Sequence, residues 1–216
     1  MELNNVFGEK SRGVHMLTAM TAGLLAILCA APLFSMEKAA GTEKLVRAAE
    51  RGRGRLVMAK YAALWLEILA IWACVYLRQW TKMTDVIGRS MLNAPLGNIE
   101  ALQDFPIRTD LRGFLWLLAA VRLLSLGMLA HLAAWFSARA GTWTRAALPA
   151  AGLLLIPGLL SCLGRTWASW LTPLSCVSGL ELLTGTGALS PKTILFPLLL
   201  ASAAFAAFRT AKALRG

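Results

Sequence analysis

Long apolar blocks alternate with short charged ones along the chain. Met16–Met36 runs 21 residues without a charge. Leu56–Leu77 is apolar apart from Lys60 and Glu67, and Phe114–Phe136 apart from Arg122 and His131. Ala146–Gly164 carries no charge over 19 residues. Thr193–Phe208 has 16 residues and extends back to Leu189 if Lys192 snorkels toward the headgroups. A hydrocarbon core of about 30 Å takes roughly 17 to 25 helical residues. Lipid offers no partner to an open backbone, so each block is predicted to be a helix. The alternation of a membrane barrel is absent. The expected fold is all-α, a single polytopic membrane domain over 1–216 with about five spans: 16–36, 56–77, 114–136, 146–164 and 189–208. In 174–189, Leu174, Val177, Leu180 and Leu183 recur at helical spacing, but Glu181, Thr184 and three glycines interrupt them. This stretch reads as a re-entrant or interfacial helix, with a plain surface loop as the alternative.

Composition sharpens this picture. Hydrophobic residues make up 57% and charged ones 15%, against roughly half and a quarter in soluble domains. A soluble enzyme, a disordered tail and a secreted disulfide scaffold are excluded. The net charge of +11 is spread between apolar blocks rather than gathered in a patch, so no nucleic acid is expected as a partner. Segments 37–55, 137–145 and 209–216 hold 11 Lys plus Arg in 36 residues, whereas the alternate segments hold 9 in 79. The denser set is expected on the cytoplasmic side, which places the carboxyl terminus inside and the amino terminus outside. A signal-peptide reading of the first block is disfavoured, because an h-region usually has about 7 to 15 residues.

Polar residues within the apolar blocks are the candidates for function. Glu67 and Arg122 are expected at similar depth on sequential helices. Unpaired, each would cost roughly 2.5–3.5 kcal/mol at the bilayer centre. They read as a static ion pair or as part of a polar pathway. Lys60 lies one turn inside its span and can snorkel. His131 is expected as a satisfied polar residue at a helix contact. His15, the other histidine, is expected at the opposite side, so no metal site is expected. No nucleophile constellation, zinc-protease motif or phosphate loop occurs, so the chain is not expected to be an enzyme or to hold a cofactor. Between the first two blocks, Thr42–Arg51 has a cap in Thr42 and good helix formers, with Glu43 and Arg47 at attractive i, i+4 spacing. It reads as a docking helix or as a basic topology anchor.

One stretch resembles a known family. GTEKLVRAAERGRGRLVMAK, Gly41–Lys60, is similar to a segment of bacterial type-2 ATP-binding-cassette transporter permeases. There, a span is followed by an acidic residue, a Gly-Thr element and a Leu, then a Gly-Arg pair, a Leu and an Ala-Lys that opens the next span. The matching positions are Glu37, Gly41-Thr42, Leu45, Gly54-Arg55, Leu56 and Ala59-Lys60. The NIEALQDFP loop, Arg122-Leu-Leu and the short basic tail also look like the family. The resemblance implies an export permease in a bacterial cell membrane, paired with a second permease subunit and driven by a separate ATPase subunit. It implies coupling to that ATPase through Glu37, Gly41, Thr42, Glu43, Leu45, Arg47, Arg51 and Arg55. Family members usually have six spans, and the first span with its outer loop is expected to be missing here. Their re-entrant helices between the last two spans suit 174–189. A non-transporting membrane scaffold or regulator is the alternative.

Overall fold

The computed structural model describes residues 9–42, 52–99, 102, 109–162, 173–179 and 183. Its described residues form helices and turns, with one isolated bridge, Pro95 to Asp110, and no strand. The helices are α1 (Glu9–Ala30), α2 (Pro32–Ala39), α3 (Gly52–Trp72), α4 (Arg78–Ile87), α5 (Leu111–Arg139), α6 (Trp143–Cys162) and α7 (Pro173–Ser178). A π-helical turn, Ala73–Leu77, joins α3 to α4 without a break. Among the described residues, three helical stretches are long and apolar enough to cross a membrane: Gly13–Ala39, Arg55–Asp85 and Leu111–Arg139. They mark a helical membrane protein. In α6 the corresponding stretch, Trp143–Ile156, is shorter. The expected span 189–208 lies outside the described residues.

Two of these stretches outrun the bilayer. Arg55–Asp85 has 31 residues and Leu111–Arg139 has 29, about 46 and 43 Å at 1.5 Å per residue against a core of about 30 Å. Their shared excess is capped by a small second core. Met83, Ile87, Leu96, Ile99 and Leu102 close there over Leu111, Phe114, Leu115 and Leu118. Backbone bonds from Leu111 to Ala94 and from Leu96 to Thr109 tie the connecting loop to the start of α5. Ile99 and Leu102, the described apolar residues of NIEALQDFP, thus form the underside of a cap.

α5 is the centre of the bundle. In its most apolar window 67% of residues are buried, against 17% for the α3 stretch, so α3 presents most of its surface outward. Small residues permit the close approach. Ala19, Ala22, Ala26 and Ala30 form one buried face of α1, packed with Leu126, Leu129, Ala130, Ala133 and Ala134 of α5. A Cβ on Gly23 would meet Leu154 Cδ2 at 2.9 Å and Leu129 Cδ2 at 3.2 Å. One on Gly127 would meet the Trp65 ring at 2.8 Å. These small residues therefore pack helices within one chain.

α1 and α2 are one rod interrupted at Pro32. Proline lacks the N–H that would continue the ladder, and its ring clashes with the preceding turn. Ser137 of α5 repairs the break. Its hydroxyl donates to Ala31 O and accepts from Phe34 N at 3.0 Å and Ser35 N at 2.9 Å. α2 ends at Gly41, whose φ of +69° suits a residue without Cβ. Thr42 N bonds Glu37 O at 3.1 Å and Gly41 N bonds Lys38 O at 3.2 Å, the paired bonds of a Schellman close. Thr42 also donates its hydroxyl to Glu37 O at 3.3 Å. In the described structure it therefore finishes α2. The expected helix it would cap, up to Arg51, lies outside the described residues, as do Glu43, Leu45 and Arg47.

Candidate functional site

Two polar layers sit toward opposite ends of the bundle. The helix rise from Lys60 to Tyr76 separates them by about 24 Å. The first is at the Lys38 end. Lys60 Nζ lies 2.6 Å from Glu37 Oε1 and donates to Leu33 O at 2.8 Å. It also stands 4.7 Å from the Phe34 ring centroid. Lys38 Nζ donates to Ala138 O, which places a cation on the carbonyl end of α5. Residues on both sides of segment 43–51 are thus fastened to the bundle. Arg55 is exposed and takes no part in this layer.

His131 lies just inside it. Its ring stacks on Tyr61 at 5.5 Å and 17°, meets Trp65 at 5.5 Å, and has Nδ1 2.6 Å from Gly127 O. This is the helix contact expected of it. Among the described residues no group of His, Cys, Asp and Glu is arranged to hold a metal ion.

The second layer is built around Arg122, which is only 4% exposed. Helical side chains tilt toward the amino-terminal end of their own helix. On α5 this tilt carries the guanidinium toward α4 and α1. Its Nε donates to Ser178 O at 2.8 Å and Nη1 to Gln79 Oε1 at 3.2 Å, and Nη2 lies 3.2 Å from His15 Nδ1. Gln79 Nε2 also meets His15 Nδ1. The face of the guanidinium covers the Tyr76 ring, 4.7 Å from its centroid. The rigid fork of arginine addresses three directions at once, which the point charge of lysine does not.

α7 needs this arrangement. Its residues Leu174–Ser178 are at most 5% exposed, yet a helix end leaves carbonyls without internal partners. Three consecutive carbonyls are met from outside. Ser125 Oγ lies 2.8 Å from Cys176 O, Tyr76 donates to Val177 O at 3.0 Å, and Arg122 takes Ser178 O. Gly179 then turns the chain at φ +69°, so close that a Cβ would meet Leu118 Cδ1 at 2.9 Å. The helical part of 174–189 ends there among the described residues, apart from Leu183, whose amide bonds Gly179 O at 3.1 Å.

The expected meeting of Glu67 with Arg122 does not occur. Glu67 is exposed, and the guanidinium is occupied by other partners. Trp65 lies against Gly127, and Trp72 Nε1 donates to Ala119 O at 3.2 Å, so the two Cα positions are at comparable depth, as expected. Two features that depth does not capture separate the side chains. α3 turns Tyr61, Leu64, Ile68 and Trp72 toward its neighbours, and Glu67 is rotated off that face. The helices are also antiparallel, so Glu67 tilts toward Lys60 while Arg122 tilts away from it.

Sequence reasoning missed Ser137, Ser125, Tyr76, Gln79 and the role of His15. Tyr76 carried a weak signal as a polar-tipped residue at a span end. The serines carried none, because a serine in an apolar helix usually bonds back to its own ladder.

Between α3–α4 and α5 lies a cleft of about 120 Å³, lined by Trp72, Tyr76, Trp80, Leu115, Trp116 and Ala119, with Arg122 at one wall. The π turn borders it. An extra residue in one turn widens the helix, and such turns are frequent at functional sites.

The fold and these layers define a helical membrane protein with a buried, multiply bonded arginine near one end and a lysine–glutamate pair near the other. No family model, no curated protein and no solved structure matches the chain.

Proposed function

We propose that the chain is the membrane-spanning permease subunit of an ATP-binding-cassette exporter in a bacterial cell membrane. It pairs with a second permease subunit and is driven through 37–55 by a separate ATPase subunit. The observation that carries this reading is the fastening of both roots of the segment: Glu37 on Lys60 and Lys38 on Ala138 O. A load applied between 43 and 51 reaches α2, α3 and α5 through those contacts. The resemblance of Gly41–Lys60 to the permease segment supports the same reading. The charge distribution supports a cytoplasmic position for this end. At the far end, α7 acts as a re-entrant helix held shut by Arg122, Tyr76 and Ser125. Transport then requires that clamp to loosen when the cytoplasmic segment is pushed.

The test has two parts. Purification of the tagged chain in mild detergent is expected to bring down an ATP-binding-cassette subunit whose hydrolysis the permease stimulates. Replacing 43–51 with a Gly-Ser linker is expected to abolish that stimulation while the chain still inserts. Stimulation that survives the linker overturns the coupling role. Recovery of the chain without any ATPase favours the non-transporting scaffold.

A further inference from the structure

We propose that the cleft beside the π turn is a lipid site, seating a segment of one phospholipid acyl chain with the lipid phosphate against Arg112. The inference does not rest on the transport reading. The cleft walls are apolar and aromatic, and about 120 Å³ is available. The apolar walls offer water no partners, so the cleft takes an apolar group. Arg122 borders the cleft but offers it little, since it is 4% exposed and Nε and one N–H of each Nη already go to Ser178, Gln79 and His15. The guanidinium also occupies a face of Tyr76, which disfavours a second cation such as a quaternary ammonium.

The position selects the occupant. Leu77 and Trp116 flank the cleft and are 54% and 60% exposed. They belong to Arg55–Asp85 and Leu111–Arg139, which are long and apolar enough to span. The cleft is therefore continuous with the surface that lipid covers. By helix rise Trp80 lies about 30 Å from Lys60, which puts the Trp80–Trp116 pair, 5.2 Å between centroids, at headgroup depth. Arg112 is exposed and lies one turn beyond Trp116 on the same face of α5, about 6 Å further along. It supplies the cation a phosphate needs. Asp110 is exposed nearby, so the chain in the cleft provides most of the binding and Arg112 a smaller part.

The test is native mass spectrometry of the detergent-purified protein after delipidation and addition of phosphatidylglycerol. One lipid per chain is expected to persist in the wild type. Ala119→Phe, which fills the cleft, is expected to lose it. Leu148→Phe, which adds a ring at a 71% exposed position on α6, is expected to keep it. Arg112→Ala is expected to lower retention without abolishing it. A wild type that holds no lipid, or equal retention in Ala119→Phe, overturns the proposal. If Ala119→Phe does not fold, the rim substitution Trp116→Ala decides: weaker retention supports the site and unchanged retention overturns it.

Discussion

The hydroxyl of Ser137 satisfies two backbone amides that Pro32 would otherwise leave stranded inside the bundle, and it shares Ala31 O with Ser35. Leaving buried donors unpaired costs about 1–3 kcal/mol. Ser137→Ala is expected to lower the thermal unfolding midpoint in detergent by several degrees. Ser35→Ala is the contrast, because Ser35 Oγ only bonds back to Ala31 O at 2.8 Å, and it is expected to change the midpoint little. A fall of equal size in both would show that Ser137 does not bridge the break. Arg122 poses the same problem with a charge. Arg122→Lys keeps the charge and loses the fork. It is expected to destabilise by about 3 kcal/mol, the scale of a broken buried polar pair, measured by denaturant unfolding. A near-neutral Arg122→Lys would mean that charge alone, and not the three-way geometry, holds α7.

At the scale of elements, two glycines separate backbone strain from crowding. Gly41 and Gly179 share φ +69°, but a Cβ on Gly41 meets nothing within 4 Å while one on Gly179 meets Leu118 and Arg122. Gly41→Ala is expected to cost about 1 kcal/mol from conformation alone. Gly179→Ala is expected to cost distinctly more, because Leu118 must also move. Equal costs by unfolding would place α7 less tightly than the described contacts do. The π turn is a second element-scale device. Removing one residue from Ala73–Leu77 lets the same amides bond the same carbonyls at α spacing, so α4 keeps its azimuth and only the widened turn narrows. Gln79 then stays on Arg122 and Met83 in the cap. The deletion is expected to leave amide exchange in α4 and the cap unchanged. Raised exchange there would show that the cap depends on the extra residue.

Across the whole molecule, the Lys60–Glu37 pair is the ionic part of the link between the first rod and α3 at the Lys38 end, beside the bond from Lys60 to Leu33 O. Its side chains retain 14% and 25% exposure, so screening limits its contribution. A double-mutant cycle on Glu37→Gln and Lys60→Met is expected to give a coupling of about 1 kcal/mol in stability. Under the coupling proposal, either single change also weakens ATPase stimulation more than it weakens stability. A variant with full stability loss and intact stimulation would confine the pair to folding.

The apolar blocks by themselves determined that this is a helical membrane protein, because a charge-free run of about twenty residues has few places to go except lipid. Four of the blocks overlap the α1–α2 rod, α3, α5 and α6, since hydrophobicity is a local property. His131 was legible as a packing residue, and Glu67 and Arg122 were legible as exceptional. Their partners were not. Depth follows from counting residues, but azimuth and side-chain tilt depend on which face each helix turns to its neighbours. Only the assembled bundle turned Glu67 outward and brought His15, Tyr76, Gln79 and α7 around Arg122. Sequence periodicity likewise carried no sign of the π turn, the repair of the Pro32 break by Ser137, or the cap over α5. The Ser137 bridge and the cap join residues distant in the chain, and such contacts form only when the helices pack.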